Sequence, residues 1–430
     1  MQECYTSQLK NKFTGSTVYQ SPLLTSGPAT EILHQIIEVA RVSGICIYLV
    51  GGSVRDRIIG LPLKDIDLVT LVKPDHFIAN IIAKLNAKLV QHSQYDTYKL
   101  IIGNVPVDVC MSRSEYYLKP AGKPVIPPAS IDLDMYRRDF SMNAIAMPLL
   151  TGASTALIDP TKGITDIKSK SIRVLHQDSF RDDPSRIIRA ILYEQRLAFS
   201  IETTTLKLML RDKTHLKLLP ANKIRQILDN IFMEEQPESI IRRILQLNLL
   251  PSLTNLLRSF NKHHSSARSI KTVKPTVKSL DIYVGMSAWF LTSLQLGMLQ
   301  TQLALTNQQM KLVNEISTIK NLVKKTRNNR ISLSDIYFEL RETSELSRMI
   351  ASHTVSDSHF IELLTEYESN LKWVKPSLNK RDLCAATGIP EGPLLGEVIR
   401  AIITAKIDGK ISGKAAEIQL ARKVVRALHA

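Results

Sequence analysis

The 430-residue chain has little cysteine and few aromatic side chains: four Cys, two Trp, and Phe, Tyr and Trp together at 6%. Cys4, Cys46, Cys110 and Cys384 lie far apart with no CxxC pair, which speaks against a disulfide framework and against a zinc site. No apolar run reaches the roughly 18 residues of a membrane span. The opening stretch, Met1 to Ser16, lacks the apolar segment of a signal peptide. Acid is the scarcer charge, with 40 Asp and Glu against 56 Lys and Arg and a net charge of +16. Apolar residues, at 44%, suffice for a sizeable core and exclude disorder of the whole chain. The length points to two to four compact units. The expected class is a soluble, cytoplasmic, multi-domain protein.

The basic excess is uneven. Residues 251–430 hold 25 basic and 15 acidic side chains, so they supply +10 of the +16. Such a surface favours a polyanionic partner, because neutralising phosphates releases counterions.

Residues 1–29 are polar and Ser/Thr-rich and read as a flexible leader. An apolar stripe at helical spacing then runs through Ile32, Leu33, Ile36, Ile37, Val39 and Ala40. Ile45–Val50 reads as a buried strand and Asp65–Val69 as another, with a helix over 76–88 and strands near 97–102 and 105–110. This mixed unit ends around residue 160. From Ser179 onward the apolar spacing is almost wholly helical. Asn261–Leu280, with five Lys/Arg, two His and no acid, reads as a loop.

The segment Leu49-Val-Gly-Gly-Ser-Val-Arg-Asp56, followed by Asp65-Ile-Asp67, carries the most chemistry. A strand enters a Gly-Gly turn where backbone can approach a ligand closely, and Arg55 adds a fixed charge. Asp65 and Asp67, two apart in a strand, project from one face. Like charges so placed call for a cation between them, and magnesium commonly bridges carboxylates to phosphates. Asp108 is a candidate third carboxylate on a neighbouring strand, or else an edge-strand charge facing water.

These residues resemble the catalytic signature of the nucleotidyltransferase superfamily, specifically the class II (bacterial-type) tRNA nucleotidyltransferase and poly(A) polymerase family. Asp134-Met-Tyr-Arg-Arg-Asp-Phe-Ser-Met-Asn-Ala144 resembles the family's second motif. Leu157-Ile-Asp-Pro-Thr-Lys-Gly163 resembles its connecting motif, and Phe180-Arg-Asp-Asp-Pro-Ser-Arg-Ile-Ile-Arg189 its nucleotide-selecting motif. Asp382-Leu, Gly388-Ile-Pro-Glu-Gly-Pro393 and Ile407-Asp-Gly409 look like its tail. The resemblance implies an α+β architecture: a nucleotidyltransferase α/β head (30–160, catalytic), a helical neck (161–230), then a helical body and tail (231–430, tRNA binding).

It also implies an activity, the template-independent addition of C and/or A to tRNA 3′ ends from CTP and ATP. Gly51, Gly52 and Arg55 would hold the triphosphate and Asp65 and Asp67 the Mg2+ ions. Arg138, Asp139 and Asn143 would engage ribose and phosphate. Asp183, Arg186 and Arg189 would read the base. If the selecting segment is helical, these three share a face. Cytosine and adenine present an amino donor beside a ring-nitrogen acceptor; a carboxylate only accepts and a guanidinium only donates, so the set complements C and A and mispairs with G and U.

The sequence departs from the family pattern in places. Asp182 stands where Glu is usual, Leu192 where a further Arg is common, Tyr193-Glu-Gln-Arg196 where many relatives are small or apolar, and Glu391 where Pro is usual. The acidic-Gly-Arg insert that often precedes the second motif is absent, which favours a CC-only product. CCA, CC alone and A alone all stay open, with a second tRNA nucleotidyltransferase as partner where addition is partial. A poly(A) polymerase, or an RNA-binding relative without catalysis, are the alternatives. Phosphate contacts are expected from Lys320, Lys324, Lys325, Arg327 and Arg330, and from Lys406, Lys410, Lys414, Arg422, Lys423 and Arg426. Trp289 and Trp373, amid apolar neighbours, read as core, and His263-His264 as bystanders in a polar loop.

Overall fold

The computed structural model describes residues 27–93, 95–149, 156–274, 276–277, 279–328 and 331–429. It divides into two compact units: one runs to Leu219 and takes in Arg243–Leu250, the other comprises Pro220–Arg242 and Pro251–Ala430. Most of the expected leader lies outside the described residues. Its end is corrected, because a helix already begins at Pro28. Proline suits a first helical turn, where its missing N–H has no partner to lose.

The first unit opens with α1 (Pro28–Val42), β1 (Ile47–Val50), α2 (Gly52–Ile58), β2 (Ile66–Thr70), α3 (Asp75–Leu85), β3 (Lys88–His92), β4 (Thr97–Ile102) and β5 (Val105–Met111). A short hairpin of β6 (Tyr116–Tyr117) and β7 (Pro124–Val125) follows, then α4 (Ile131–Tyr136) and β8 (Ala146–Pro148). The six-stranded sheet has the order β3-β4-β5-β2-β1-β8. Only β2 and β5 pair in parallel, in a register that sets Asp67 beside Asp108. All four residues of β1 are buried, as a central strand covered on both faces requires. In β4 every second residue is buried, whereas the edge strand β3 is exposed throughout. Leu33 and Ile36 of α1, Phe77 and Ile81 of α3, and Leu49 and Leu68 of the sheet are fully buried core residues.

Beyond the sheet come α5 (Gly163–Lys168), β9 (Ser171–Ile172), α6 (Ser179–Asp182), α7 (Ser185–Leu197), β10 (Ser200–Ile201) and α8 (Thr203–Asp212). The parallel pair of β9 with β10 interrupts the expected helical run.

The second unit is built of helices among its described residues. Three of them open on reciprocal capping boxes, Thr292 with Gln295, Thr306 with Gln309, and Ser332 with Asp335. Asn261–Leu280 is not a loop: a helix spans Thr254–Val273 and the next starts at Ser279. Leu257, Phe260, Ala267 and Ile270 are buried at helical spacing, so apolar burial outweighs the polar composition. The side chains of His263 and His264, and all of Arg330, lie outside the described residues. Trp289 packs partly buried against the cluster of Ile319, Tyr337, Phe360 and Tyr367. Trp373 is not core; it is 70% exposed.

Candidate active site

Gly51 turns the chain from β1 into α2 with φ 70° and ψ −139°, a conformation that side chains strain to adopt. A Cβ there would stand 3.0 Å from Arg138 Nη1 and 3.3 Å from Asp67 Oδ2. The bare backbone of Gly51 is therefore what lets a cationic and an anionic side chain converge. Ser53, buried in the first turn of α2, ties this turn to the strand beside it. Its hydroxyl donates to the Asp65 carbonyl at 3.2 Å and accepts from the Asp67 N–H at 3.1 Å. Sequence reasoning passed over Ser53 because its partners lie twelve and fourteen residues away.

Both carboxylates resist ionisation. Burial raises the Asp65 pKa, helped by neighbouring Asp56. Burial and then the Asp65 charge push Asp67 up to about 7, against the pull of Arg138. Asp67 lies on β2 and Asp65 in the bend just before it, not on the strand as expected; two carboxylates this near, at a cost to their ionisation, still fit a divalent cation. Asp108 stands level with Asp67 across the parallel pair, with its carboxylate 3.0 Å from Lys99 Nζ. Among the described residues no three His, Cys, Asp or Glu side chains gather into a metal cage.

Arg138 is oriented from beneath. The fully buried Asp134 accepts from Arg138 Nη2 at 2.9 Å, Arg137 Nε at 2.9 Å and the Arg113 N–H at 3.2 Å. Burial opposes its ionisation, but Arg138 and Arg137 hold its pKa below the ordinary value. Truncating it would leave two guanidinium groups without their shared acceptor. Asp134→Ala is expected to destabilise the protein by about 3–5 kcal/mol, as loss of one partner of a buried ion pair does. It should also raise the nucleotide KM. Thermal melts and steady-state kinetics check both, and a variant as stable as the parent would refute the role.

The second-motif residues form a chain of contacts into the neck. Asp139 accepts from Asn143 Nδ2 at 3.0 Å and faces Arg189 Nη1 at 3.4 Å. Arg55, 3% exposed, donates to Asn143 Oδ1 at 2.6 Å and to Asp56 Oδ1. Its guanidinium lies 5.1 Å from the Tyr193 ring centroid, and that ring meets Phe140 edge-on. Tyr193, noted only as a departure, thus backs the site.

The three residues expected to read the base are arranged differently from the expected shared helix face. Asp183 is outside both helices, at φ −130° and ψ 92°, because Pro184 disfavours a helical residue before it. Only Arg186 and Arg189 share the α7 face. The turn still delivers Asp183 to Arg189, at 2.7 Å from Nη2, while Ser185 donates to its other oxygen. Although burial works the other way, Arg189 and Ser185 keep the Asp183 pKa low. Arg186 instead donates to Ser179 Oγ at 2.7 Å and to the Arg137 carbonyl at 2.8 Å, with its buried Nε unpartnered. The hairpin preceding the second motif reaches the same place: the Ala121 N–H donates to the Arg181 carbonyl at 3.0 Å.

In the second unit several expected phosphate contacts are spent on internal pairs. Lys325 binds Glu339, Arg327 binds Asp357, Lys406 binds Glu417 and Lys410 binds Asp408. Lys324, Lys414, Lys423 and Arg426 are exposed. No described helix is long and apolar enough to cross a membrane.

The chain is similar to several known proteins. The poly(A) polymerase head domain family matches residues 47–173. An A-adding tRNA nucleotidyltransferase of Halalkalibacterium halodurans is 27% identical over 86% of this chain and 86% of its own length. One of Geobacter sulfurreducens is 27% identical over 88% of this chain, which spans only 45% of that longer relative. A CCA-adding enzyme structure, apo form II, superposes with a TM-score of 0.68 at 25% identity, covering 94% of this chain and 97% of that one. Head motif, helical remainder and similarity along most of the chain agree in supporting a class II tRNA nucleotidyltransferase.

Proposed function

We propose that this chain adds C and/or A, without a template, to the 3′ end of tRNA in the cytoplasm, from CTP and ATP. The observation that carries the reading is the convergence of Asp67 and Arg138 on the bare backbone of Gly51. A negative side chain for a metal and a positive one for phosphate there share one small space. The ion we assign to Asp65 and Asp67 is Mg2+, which when bound supplies a Lewis acid for phosphate oxygens.

The chain's own residues do the rest. Gly51 and Gly52 let the triphosphate approach the backbone, with Arg138 and Arg55 as its charges. Asp139 and Asn143, already bonded to each other, offer the ribose polar partners. Asp183, Arg186 and Arg189 meet the base edge. In the reaction the primer 3′-oxygen bonds to the α-phosphorus, the α–β bridging bond breaks and pyrophosphate leaves. We assign catalysis to the head (30–160), base choice to the neck (161–230) and tRNA binding to the body and tail (231–430).

The two relatives reported above are named as A-adding, while others matched over similar lengths are named CCA-adding. The first two favour an A-only product as a second reading, with another enzyme supplying the two Cs. Purified protein with Mg2+ and labelled CTP or ATP, given tRNA transcripts ending at the discriminator base, at C and at CC, decides among them. Addition from all three marks a CCA enzyme, a stop after two Cs a CC enzyme, and A on the CC end alone an A-adding one. Long A ladders on unrelated RNA would replace this reading by poly(A) polymerase.

A further inference from the structure

Trp373 is the large aromatic side chain that the fold leaves out. Its neighbours pack inward: Leu371 is 6% exposed, and the Val374 carbonyl accepts from the Tyr337 hydroxyl at 3.3 Å. Four residues on, the segment is fastened again, where buried Glu417 accepts from the Ser377 and Leu378 N–H groups. The indole is thus held out on an anchored stretch of backbone. The chain segment around it is basic. Residues 370–381 include Lys372, Lys375, Lys380 and Arg381 and no acid. Lys372 Nζ lies 5.0 Å from the Trp373 ring centroid and is fixed there by Glu368 at 2.6 Å. Lys375, Lys380 and Arg381 are exposed.

We infer that Trp373 is a stacking platform for an unpaired nucleobase of the RNA substrate, with the surrounding cations on the flanking phosphates. An exposed indole on a fastened stretch, with Glu368 already paired to Lys372 and with Lys375, Lys380 and Arg381 exposed nearby in the chain, matches a ligand that offers a flat π-face and a phosphate on either side. A protein partner would bring either an apolar surface, which the surrounding charges would have to be desolvated to meet, or carboxylates, which make no use of the ring face. The inference rests on the tRNA reading above and assigns one contact of that substrate.

The protein has two tryptophans, so Trp289→Phe leaves Trp373 as the sole indole emitter. Titrating this variant with a tRNA transcript ending in CC is expected to quench its emission saturably. In the otherwise unaltered protein, Trp373→Ala should weaken tRNA binding at least about fivefold, the lower end of one base–aromatic stack, and Trp373→Phe should restore most of it. Unchanged emission on saturation with tRNA, or undiminished affinity in Trp373→Ala, overturns the platform. If the parent protein still extends tRNA in that case, the tRNA reading survives. If the parent neither binds nor extends tRNA, both fail.

Discussion

Replacing Asp67 with asparagine is expected to lower nucleotide incorporation at least about 10³-fold, yet to stabilise the metal-free protein at pH 8. The loss of activity follows from the several kcal/mol of transition-state charge stabilisation that a bound metal contributes. The gain in stability follows from the Asp67 pKa, raised from 3.8 to about 7 by burial and by Asp65. Below pH 4 the carboxyl is protonated in folded and unfolded chains alike, and nothing is lost. Between pH 4 and 7 the unfolded chain ionises while the folded one holds its proton, so stability falls as pH rises. Above pH 7 the full penalty is present, on the order of 4 kcal/mol. Asparagine fills nearly the same space without the charge and escapes it. The variant's advantage should therefore be visible at pH 8, vanish near pH 4, and shrink when magnesium neutralises the parent. Melting curves at the two pH values, with and without magnesium, measure it. A variant that is less stable than the parent at pH 8 without metal would contradict the charge balance described for this site.

Asp183→Ala should relax the choice of base. The Asp183 carboxylate accepts from Arg189 and Ser185, and the guanidinium groups of Arg186 and Arg189 stand on the adjoining helix face. An acceptor beside donors suits the amino and ring-nitrogen edge of C and A. Mispaired buried polar groups cost about 1–3 kcal/mol each, so discrimination against G and U should fall by about 5- to 150-fold. Arg189, relieved of its carboxylate, becomes free to donate to the carbonyl edge of G or U. Relative kcat/KM values for the four triphosphates report this directly. Lost triphosphate affinity with base choice intact would show that the pair only braces the neck.

The parts of the site fixed by local geometry were legible in the sequence. A Gly-Gly turn after a β-branched run admits a close ligand, and Asp67 falls on a strand as expected, whereas Asp65 lies in the bend just before β2. Thus β1, β2, β4 and β5 lie within a few residues of their expected places. The edge strand β3, exposed at all five residues, has no alternating pattern to read. Asp183 was misplaced for a reason visible in the sequence: Pro184 ends the helical geometry at the residue before it. Asp134 and Ser53 act on partners far along the chain, which spacing does not register. Composition misled at 261–280, where a polar stretch is helical because four apolar residues recur on one face. It misled again at Trp373, which a tight turn points outward between buried Leu371 and partly buried Val374.

The central claim is that Asp65 and Asp67 together hold a divalent cation at the triphosphate. Titrating Mn2+, as a paramagnetic stand-in for magnesium, into the protein with a non-hydrolysable ATP or CTP analogue tests it most directly, with the free ion read by electron paramagnetic resonance. The parent should bind Mn2+ at a site that requires the nucleotide analogue for full affinity, and Asp65→Asn and Asp67→Asn should each lose that site. Undiminished Mn2+ binding in both variants would place the metal elsewhere and contradict the account.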